Sequence, residues 1–440
     1  MSRDASNIQF DTALKDAKDR FVERNPTSAS QHEKAVRSMP GGNTRTSLYY
    51  GPFPLAIARG EGPNVWDIDG HKYLDLLGEF TAGLFGHSHP IIRTALNDAL
   101  DNGVNFGGHG LTEAAFAEAL CKRFKSIDLI RFTNSGTEAN LMAISTALAI
   151  GKRRKVLAFN GGYHGGVFTF HNGHNAINAP FDFILGRYND VEGTRRLIED
   201  NAPALGVVIL ELMQGGAGCI PASEAFVSML RETTQKHGIT LVFDEVMTSR
   251  LGVGGLQEKL GVTPDMTTLG KYVGGGMSFG AFGGKESIMQ HLDPRRPDAL
   301  PHAGTFNNNV LTMTAGLAAM TQIYTSAVVA ELNERGERLR SRLNAVFTGR
   351  NLAVRFTGRG SMMNIHPTDV EIASIEDARH GRQEIRDLFF FDMLERGFYL
   401  ARRGMINLSL VITDEHADQF VAAVEDFASV HKGLLESNRA

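Results

Sequence analysis

Short apolar runs alternate along the middle of the chain with segments whose apolar positions recur at helical spacing. This alternation predicts an α/β fold, in which a mainly parallel sheet is covered by helices on both faces. Ligands on such sheets bind at the carboxyl ends of the strands, and polar residues follow several of these runs. The predicted strands of the sheet are residues 129–133, 155–160, 181–185, 207–211, 240–244, 266–269 and 279–282.

The two ends of the chain show a different pattern, in which helical periods are mixed with a few short β-type runs. We expect a large domain at residues 76–330 and a smaller α+β domain at residues 331–440, to which the N-terminal segment, residues 1–75, also contributes. The predicted helices outside the sheet region are residues 11–39, 306–324, 328–347, 384–396 and 414–432, and the predicted strands there are residues 55–58, 64–67, 73–76, 353–356 and 408–411.

The composition is that of an ordinary globular enzyme, because 42% of the 440 residues are apolar and 21% are charged. A net charge of -4 provides no general attraction for nucleic acid or for an anionic membrane. The two cysteines exclude a disulfide framework and favour a reducing compartment, for which the cytoplasm is the default. No apolar run reaches the roughly 20 residues that a membrane-spanning helix needs, and the N-terminus lacks the apolar block of a signal peptide.

Lys271 follows the predicted strand at residues 266–269, and six glycines lie after it between Gly274 and Gly284. Glycine lets a backbone approach a ligand closely, and an amine whose pKa is lowered by burial or by a nearby cation can act as nucleophile and base. We infer that Lys271 carries a cofactor as a Schiff base. A lysine considered alone is more often a solvated charge, so this inference depends on the motifs around it.

Two of these motifs suit a phosphorylated pyridine. Residues 135–137, Ser-Gly-Thr, follow a predicted strand and open a helix, so free N–H groups, the helix dipole and two hydroxyls could hold a phosphate, although a simple N-cap is the alternative. Asp244 ends another strand and could pair with a protonated ring nitrogen, which would strengthen the ring as an electron sink. The alternative role for Asp244 is an ordinary ion pair with Arg250. Tyr163, between two glycine pairs, could stack on a flat ligand or simply pack.

Three further motifs resemble known functional sites but lack features that those sites require. The G-x-S-x-G sequence around Ser278 lacks the preceding strand and following helix of a hydrolase nucleophile. Residues 280–285 lack the first glycine and the final Ser/Thr of a phosphate-binding P-loop. His87 and His89 do not have the spacing of a helical zinc pair and have no acidic cluster beside them, so we predict no metal site.

In chain order, these motifs resemble the class III (ω-type) aminotransferases, which are pyridoxal 5′-phosphate enzymes of fold type I. The resemblance spans nearly the whole chain. It implies a mainly parallel seven-stranded sheet in a large domain and a smaller α+β domain built from both chain termini. The motifs that carry it are residues 60–70, 135–138, 163–165, 244–247, 267–271 and 304–305.

The resemblance also implies roles for individual residues. Lys271 would form the Schiff base and shuttle the proton, Asp244 would pair with the pyridine nitrogen, and Tyr163 would stack in front of the ring. In this family the threonine that matches Thr305 reaches the phosphate from the neighbouring subunit, which implies a homodimer with shared active sites. The implied cofactor-binding residues are Ser135, Gly136, Thr137, Tyr163, Glu211, Asp244, Val246, which packs behind the ring, Lys271 and Thr305.

Within the class, residues 278–284 and 304–310 most resemble the β-phenylalanine (aromatic β-amino acid) aminotransferases. This implies transfer of an amino group from a β-amino acid to a keto acid such as 2-oxoglutarate or pyruvate. Arg45 resembles the arginine that binds the carboxylate of the β-amino acid, for which bidentate geometry is suited. Arg402 resembles the mobile arginine that binds the α-carboxylate of the acceptor, with Arg403 as the alternative register. Phe80 stands where relatives often carry a tyrosine and is an expected substrate contact.

Other functions remain open from the sequence alone. A 2,1-aminomutase of the glutamate-1-semialdehyde type uses the same cofactor chemistry within one substrate. A serine hydrolase that uses Ser278 and a ligand-binding protein without activity are more distant alternatives.

Overall fold

A computed structural model of the chain describes residues 3–436 and the side chains of residues 10–436. Within this range no helix combines the length and apolar character needed to cross a membrane. The strands form sheets of seven, four, three and two strands. In chain order they are β1 (Ile57–Glu61), β2 (Asn64–Asp67), β3 (Lys72–Asp75), β4 (Leu129–Thr133), β5 (Lys155–Phe159), β6 (Asp182–Gly186), β7 (Leu205–Glu211), β8 (Met213–Gln214), β9 (Ile220–Pro221), β10 (Thr240–Asp244), β11 (Met266–Gly270), β12 (Gly280–Gly284), β13 (Arg355–Arg359), β14 (Met362–His366), β15 (Phe398–Tyr399) and β16 (Met405–Asn407).

The α-helices cover the sheets and connect most of the strands. Short 3-10 turns at Gly78–Thr81 and Lys271–Gly274 border the site described below, and a π-helical turn, Ala319–Ile323, extends one helix. The α-helices are α1 (Arg3–Arg24), α2 (Pro26–Val36), α3 (Pro90–Asp101), α4 (Leu111–Arg123), α5 (Gly136–Gly151), α6 (Val191–Asn201), α7 (Glu224–Lys236), α8 (Leu256–Leu260), α9 (Glu286–Met289), α10 (Val310–Ala318), α11 (Ser326–Thr348), α12 (Ile375–Ala378), α13 (Gln383–Glu395), α14 (Asp414–Val430) and α15 (Lys432–Glu436).

The seven-stranded sheet has the order β4-β12-β11-β10-β7-β5-β6. Its strands are parallel except β12, which is antiparallel to both of its neighbours. Every residue of β7 and of β11 is buried, because helices such as α5 and α7 cover the sheet. All seven strands predicted from the apolar runs lie in this sheet, and the predicted α/β fold with a mainly parallel seven-stranded sheet is confirmed.

The four-stranded sheet joins the two ends of the chain. Its order is β1-β2-β3-β15, and β15 from the C-terminal part runs parallel to β3. Backbone N–H groups of Leu74 and Leu76 donate to the carbonyl oxygens of Gly397 and Tyr399, both at 2.8 Å. The segment before residue 76 is therefore hydrogen-bonded to the C-terminal part of the chain. The domain boundaries after residues 75 and 330 stay a prediction.

Two predictions outside the large sheet were wrong. The helix predicted over residues 11–39 is divided into α1 and α2, because Pro26 lacks an N–H and starts a new helix instead of continuing the first. The strand predicted at residues 408–411 is absent, because β16 ends at Asn407 and the chain then turns, with the N–H of Ile412 donating to the Ser409 carbonyl. In addition, the sequence did not predict β14.

Candidate active site

The site lies where β7, β10 and β11 end. Asp244, the last residue of β10, is in register with Glu211 at the end of β7 and with Thr268 on β11. Lys271 follows β11 directly. Because parallel strands end at the same edge of the sheet, residues that are far apart in the sequence meet here.

Asp244 is held by two elements besides its own strand. Its Oδ2 is 2.8 Å from Nδ1 of His164 and accepts a hydrogen bond of 2.8 Å from Nδ2 of Asn140, while its Oδ1 accepts from the N–H of Val246 at 3.0 Å. The hydroxyl of Thr268 in turn donates to Oδ1 of Asn140 at 2.7 Å. A carboxylate oxygen has two acceptor sites, so Oδ1 retains capacity for one further N–H donor.

His164 is buried against this carboxylate, and its environment favours the protonated ring. Burial alone would lower the pKa of His164, but the hydrogen bond and the charge of Asp244 outweigh burial and leave the pKa raised. The sequence prediction gave no role to His164 or Asn140. A signal was available for both, because His164 adjoins Tyr163 in a glycine-rich segment and Asn140 lies one helical turn after Gly136.

Lys271 has an unusual backbone and an unpaired amine. Its φ of 53° lies in the left-handed region, which residues with a Cβ rarely adopt. No residue of 3–436 forms a hydrogen bond or an ion pair with its Nζ. Burial lowers the pKa of the Lys271 amine below its ordinary value; the charges of Asp244 and Glu211 oppose this effect, and the nearby Arg403 adds to it. Such an amine is suited to attack a carbonyl carbon.

The start of α5 forms a phosphate cup, defined here as residues 135–137. Ser135 is the N-cap of the helix, and its hydroxyl accepts a hydrogen bond of 3.2 Å from the N–H of Glu138. The N–H groups of Gly136 and Thr137 have no acceptor within the part of the chain that the structure describes. These groups and the helix dipole suit a phosphate.

Val246 fills the space between the phosphate cup and Lys271. A Cβ on Gly136 would lie 2.8 Å from Cγ1 of Val246, and a Cβ on Gly270 would lie 3.0 Å from the same atom. Both positions therefore need glycine for the side chain of Val246 to sit between them. This contact fixes the distance between the cup and the lysine.

Glu211 binds the backbone around the expected stacking residue. Its Oε1 accepts from the N–H of Tyr163 at 2.9 Å, and its Oε2 accepts from the N–H of Gly215 at 3.2 Å. Burial and the charge of Asp244 raise the pKa of Glu211 to about 7, although His164 and the two N–H donors oppose the shift. The side chain of Tyr163 is 50% exposed, which leaves its ring available to a ligand.

Two arginines lie close to the ring of Phe80, the expected substrate contact. The Cζ atoms of Arg45 and Arg403 are 5.6 Å and 5.1 Å from the centroid of the Phe80 ring. An Nη2 of Arg45 donates to Oε1 of Glu79 at 2.6 Å. Nε of Arg403 is buried and has no hydrogen-bond partner among the described residues. The charge of Arg403 also lowers the pKa of Lys271. Burial raises the pKa of Tyr163, and the charge of Arg403 partly offsets that rise, so this arginine acts on the site.

Arg402, which the resemblance implies as the mobile arginine, forms an ion pair in this structure. Its Nε and Nη2 bind the two carboxylate oxygens of Asp387, on α13, at 2.8 Å and 2.7 Å. A bidentate pair of this kind satisfies the guanidinium and holds it on α13. The neighbouring Arg403 lies beside Phe80. The choice between Arg402 and Arg403 as the mobile arginine stays a prediction.

Thr305 and Ser278 both lie outside this cluster. Thr305 is exposed in a loop. In the same loop, Oδ1 of Asn307 accepts a hydrogen bond of 3.1 Å from Nδ2 of Asn134, which lies between β4 and the phosphate cup. Ser278 is exposed in a turn that precedes a strand, which is the reverse of the hydrolase arrangement. Residues 3–436 also contain no group of three or more His, Cys, Asp or Glu side chains that could hold a metal ion.

Pyridoxal 5′-phosphate fits the residues that the structure brings together. The phosphate cup has free N–H donors, Lys271 has an unpaired amine, and Asp244 has a free acceptor site for a ring nitrogen. With the sheet order described above, these features define a pyridoxal phosphate-dependent enzyme of fold type I.

Comparison with known proteins then identifies the family. The Aminotransferase class-III family model matches residues 47–427, and the chain belongs to the class III aminotransferases, which depend on pyridoxal phosphate. A β-phenylalanine transaminase of Variovorax paradoxus is 50% identical over 98% of this chain and 99% of that protein. A crystal structure of a β-phenylalanine aminotransferase from V. paradoxus has a TM-score of 0.96 at 50% identity and covers 97% of this chain and 99% of that chain.

Two other relatives show the range of the family. An ω-transaminase from Sphaerobacter thermophilus has a TM-score of 0.86 at 35% identity, with coverage of 95% of this chain and 100% of that chain. A glutamate-1-semialdehyde 2,1-aminomutase of Chloroherpeton thalassium is 35% identical over 85% of this chain and 91% of that protein. The aminomutase is thus less similar to this chain than the β-phenylalanine transaminase.

The raised pKa of Glu211 predicts a pH-dependent stability of the cofactor-free protein. The pKa of Glu211 is about 7 in the folded protein, and its ordinary value is 4.5. The contribution of Glu211 to the free energy of unfolding is therefore fully present below about pH 4.5 and is lost as the pH rises through 7. Between pH 5 and pH 8, the unfolding free energy of the wild type should fall relative to Glu211→Gln by on the order of 2–3 kcal/mol in urea titrations. The control is Glu23→Gln, at an exposed position of α1, which should keep a constant difference. Parallel pH curves for the wild type and Glu211→Gln would contradict the assignment.

Proposed function

We propose that this aminotransferase moves the amino group of an aromatic β-amino acid, such as β-phenylalanine, to a keto acid such as 2-oxoglutarate or pyruvate. The observation that carries the proposal is that Arg45 and Arg403 both lie within about 6 Å of the centroid of the Phe80 ring, and that Arg403 is near enough to Lys271 for its charge to act on the amine. An aromatic β-amino acid needs a cation for its carboxylate and an apolar surface for its ring. The V. paradoxus relative, which carries the name of a β-phenylalanine transaminase, supports the same substrate class.

The residues around Asp244 provide the catalytic environment in this proposal. When bound, pyridoxal phosphate supplies an electron sink that makes the C–H bond beside the substrate nitrogen acidic. Asp244 would hold the protonated ring nitrogen of the cofactor, and His164 holds Asp244 in place. Lys271 would carry the cofactor, and its amine, when free, would accept and donate the proton. Tyr163 and Val246 would pack against the ring.

Each arginine serves one of the two substrates. Arg45 binds the carboxylate of the β-amino acid, and Arg403 binds the carboxylate next to the keto group of the acceptor. Nε of Arg403 is buried without a partner among the described residues, and Nη2 donates to Sδ of Met405 at 3.3 Å, a weak acceptor. Such a guanidinium gains more from an anionic ligand than a solvated one does. The alternative is a 2,1-aminomutase, which returns the amino group to the same molecule.

We also infer a homodimer whose subunits share their active sites. Phe106, Leu111 and Phe306 are exposed apolar side chains, and Nδ2 of Asn308 joins their two segments by donating to the carbonyl of Gly108 at 3.1 Å. Exposed apolar side chains that lie close together indicate a protein interface. Thr305 precedes Phe306 and would reach the phosphate of the neighbouring subunit. The cytoplasmic location remains a prediction from the cysteine content.

The first prediction from this proposal concerns the reaction. Holoenzyme supplied with β-phenylalanine and 2-oxoglutarate should form glutamate together with the β-keto acid, and pyruvate as acceptor should give alanine. Lys271→Ala should form neither product because it lacks the amine that moves the proton. Amino acid analysis measures both products. Isomerisation of a single amino-aldehyde without glutamate or alanine would instead support the aminomutase.

The second prediction separates the two neighbouring arginines. Arg403→Leu should raise the KM for the keto acid by about tenfold or more, because a charge-assisted hydrogen bond is lost. Arg402→Leu is the matched control and should leave this KM close to wild type while lowering the thermal midpoint, since the buried Asp387 loses its ion pair and keeps the hydrogen bond from Nε2 of Gln383. Steady-state kinetics with saturating β-amino acid give the KM. The opposite result, with Arg402 controlling KM, would show that Arg402 leaves Asp387 to bind substrate.

The third prediction tests the sharing of sites between subunits. A hybrid dimer of one Lys271→Ala subunit and one Thr305→Ala subunit would have one site with both changes and one intact site. The intact site should bind pyridoxal phosphate with wild-type affinity, whereas the Thr305→Ala homodimer should bind it about tenfold or more weakly. Cofactor titration of differently tagged, co-expressed subunits measures this. A hybrid as weak as the Thr305→Ala homodimer would place Thr305 in the site of its own subunit.

A further inference from the structure

The segment that carries Phe80 has an unusual backbone. Gly78, Glu79, Phe80 and Thr81 have φ values of 52°, 46°, 51° and 82°, so four successive residues lie in the left-handed region. Three of them have a Cβ, which disfavours this conformation. Other parts of the structure must therefore hold the turn in place.

The supports of this turn come from both sides. Oδ1 of Asp75 accepts hydrogen bonds of 2.9 Å from the N–H groups of Leu77 and Gly78. Nδ2 of Asn407 donates to the carbonyl of Leu77 at 2.9 Å, and the N–H of Gly83 donates to the carbonyl of Gly78 at 2.9 Å. The backbone is thus fixed before and after Glu79. As a result, the side chains of Glu79 and Phe80 both lie next to Arg45.

The carboxylate of Glu79 on Arg45 can be replaced by the carboxylate of a ligand. A single Nη2 to Oε1 contact of 2.6 Å joins the two side chains, which are 46% exposed at Arg45 and 62% exposed at Glu79. Exposed ion pairs of this kind are weak because water competes for both partners. An arginine has five donors in a planar fork, so a substrate carboxylate that binds bidentately can replace one glutamate oxygen.

We propose that Glu79 is an internal competitor that occupies Arg45 when no substrate is bound and that the carboxylate of the β-amino acid displaces it. This inference rests on the proposed function, because it takes Arg45 as the carboxylate-binding residue. Glu79 neutralises one of the two cations beside Phe80, so the empty pocket does not hold two unpaired arginines. Glu79 also makes the pocket selective among anions, because an anionic ligand must bind Arg45 more strongly than Glu79 does. A neutral ligand leaves the ion pair between Glu79 and Arg45 intact.

The test compares Glu79→Gln with wild-type holoenzyme. The probes are 3-phenylpropanoate, which has the carboxylate and ring of the substrate but no amino group, and its neutral amide, 3-phenylpropanamide. Calorimetric titration should show that Glu79→Gln binds the acid about two- to fivefold more tightly and the amide with unchanged Kd. The KM for β-phenylalanine should fall by a similar factor without a change in kcat. The matched control is Glu61→Gln, which removes the carboxylate of another exposed pair, with Arg59 at 3.1 Å, and should leave both Kd values unchanged.

The outcomes separate this inference from the function on which it rests. Equal or weaker binding of the acid by Glu79→Gln would overturn the inference. Weaker binding would in addition show that Glu79 positions Arg45 for the substrate. A wild-type enzyme that transaminates β-phenylalanine while Glu79→Gln shows no tightening contradicts the inference alone. A wild-type enzyme that neither binds the acid nor turns over β-phenylalanine contradicts the proposed function and the inference together.

Discussion

The hydrogen bonds to Asp244 connect the parts of the site. One carboxylate oxygen joins the end of β10 to His164 in the glycine-rich segment and to Asn140 on α5. The same helix begins at the phosphate cup, and the same segment places Tyr163 against Glu211. A shift of this carboxylate would therefore move the groups expected to bind the ring, the phosphate and the stacking face of the cofactor. Because hydrogen bonds within the chain hold the backbone or side chains of these groups, the site is formed before any ligand binds.

Lys271 depends on that arrangement for its reactivity. Its amine is close enough to Asp244 and Glu211 for their charges to raise its pKa, yet burial and Arg403 keep the net shift downward. The charges near the amine are thus balanced, and no side chain in the described part of the chain forms an ion pair with it. A strong ion pair would hold the amine protonated and unreactive. The pocket instead places its remaining positive charge on the arginines beside Phe80, where carboxylates are expected.

The sequence was most informative where burial determines the residue type. The inner strands β7, β10 and β11 of the large sheet are almost entirely buried, so they are largely apolar runs, and polar residues lie at or just after their ends at the ligand edge. The class of cofactor followed from the order of those residues. Contacts between distant residues could not be predicted in the same way. Neither the pairing of Arg402 with Asp387 nor the bond of His164 to Asp244 has a local signature, because each depends on how separate elements pack.

The backbone at residues 78–81 was also beyond sequence reasoning. Three of its four residues have side chains that disfavour a positive φ. Hydrogen bonds accepted by Asp75 and donated by the distant Asn407 override that preference. Likewise, Pro26 is visible in the sequence, but a proline can also lie within the first turn of a continuing helix. Local preference and tertiary packing agree across the large sheet and disagree at the turn beside the substrate arginines. Such disagreement is expected at functional sites.

The central claim is that Lys271 is the amine that bears the cofactor, and reductive trapping tests it most directly. Borohydride reduction of the purified holoenzyme, followed by proteolysis and mass spectrometry, locates the lysine to which the cofactor is fixed. The account predicts the pyridoxyl mass on the peptide that contains Lys271 and on no other lysine of the chain. A label on a different lysine, or a reduced holoenzyme without any labelled peptide, would contradict it.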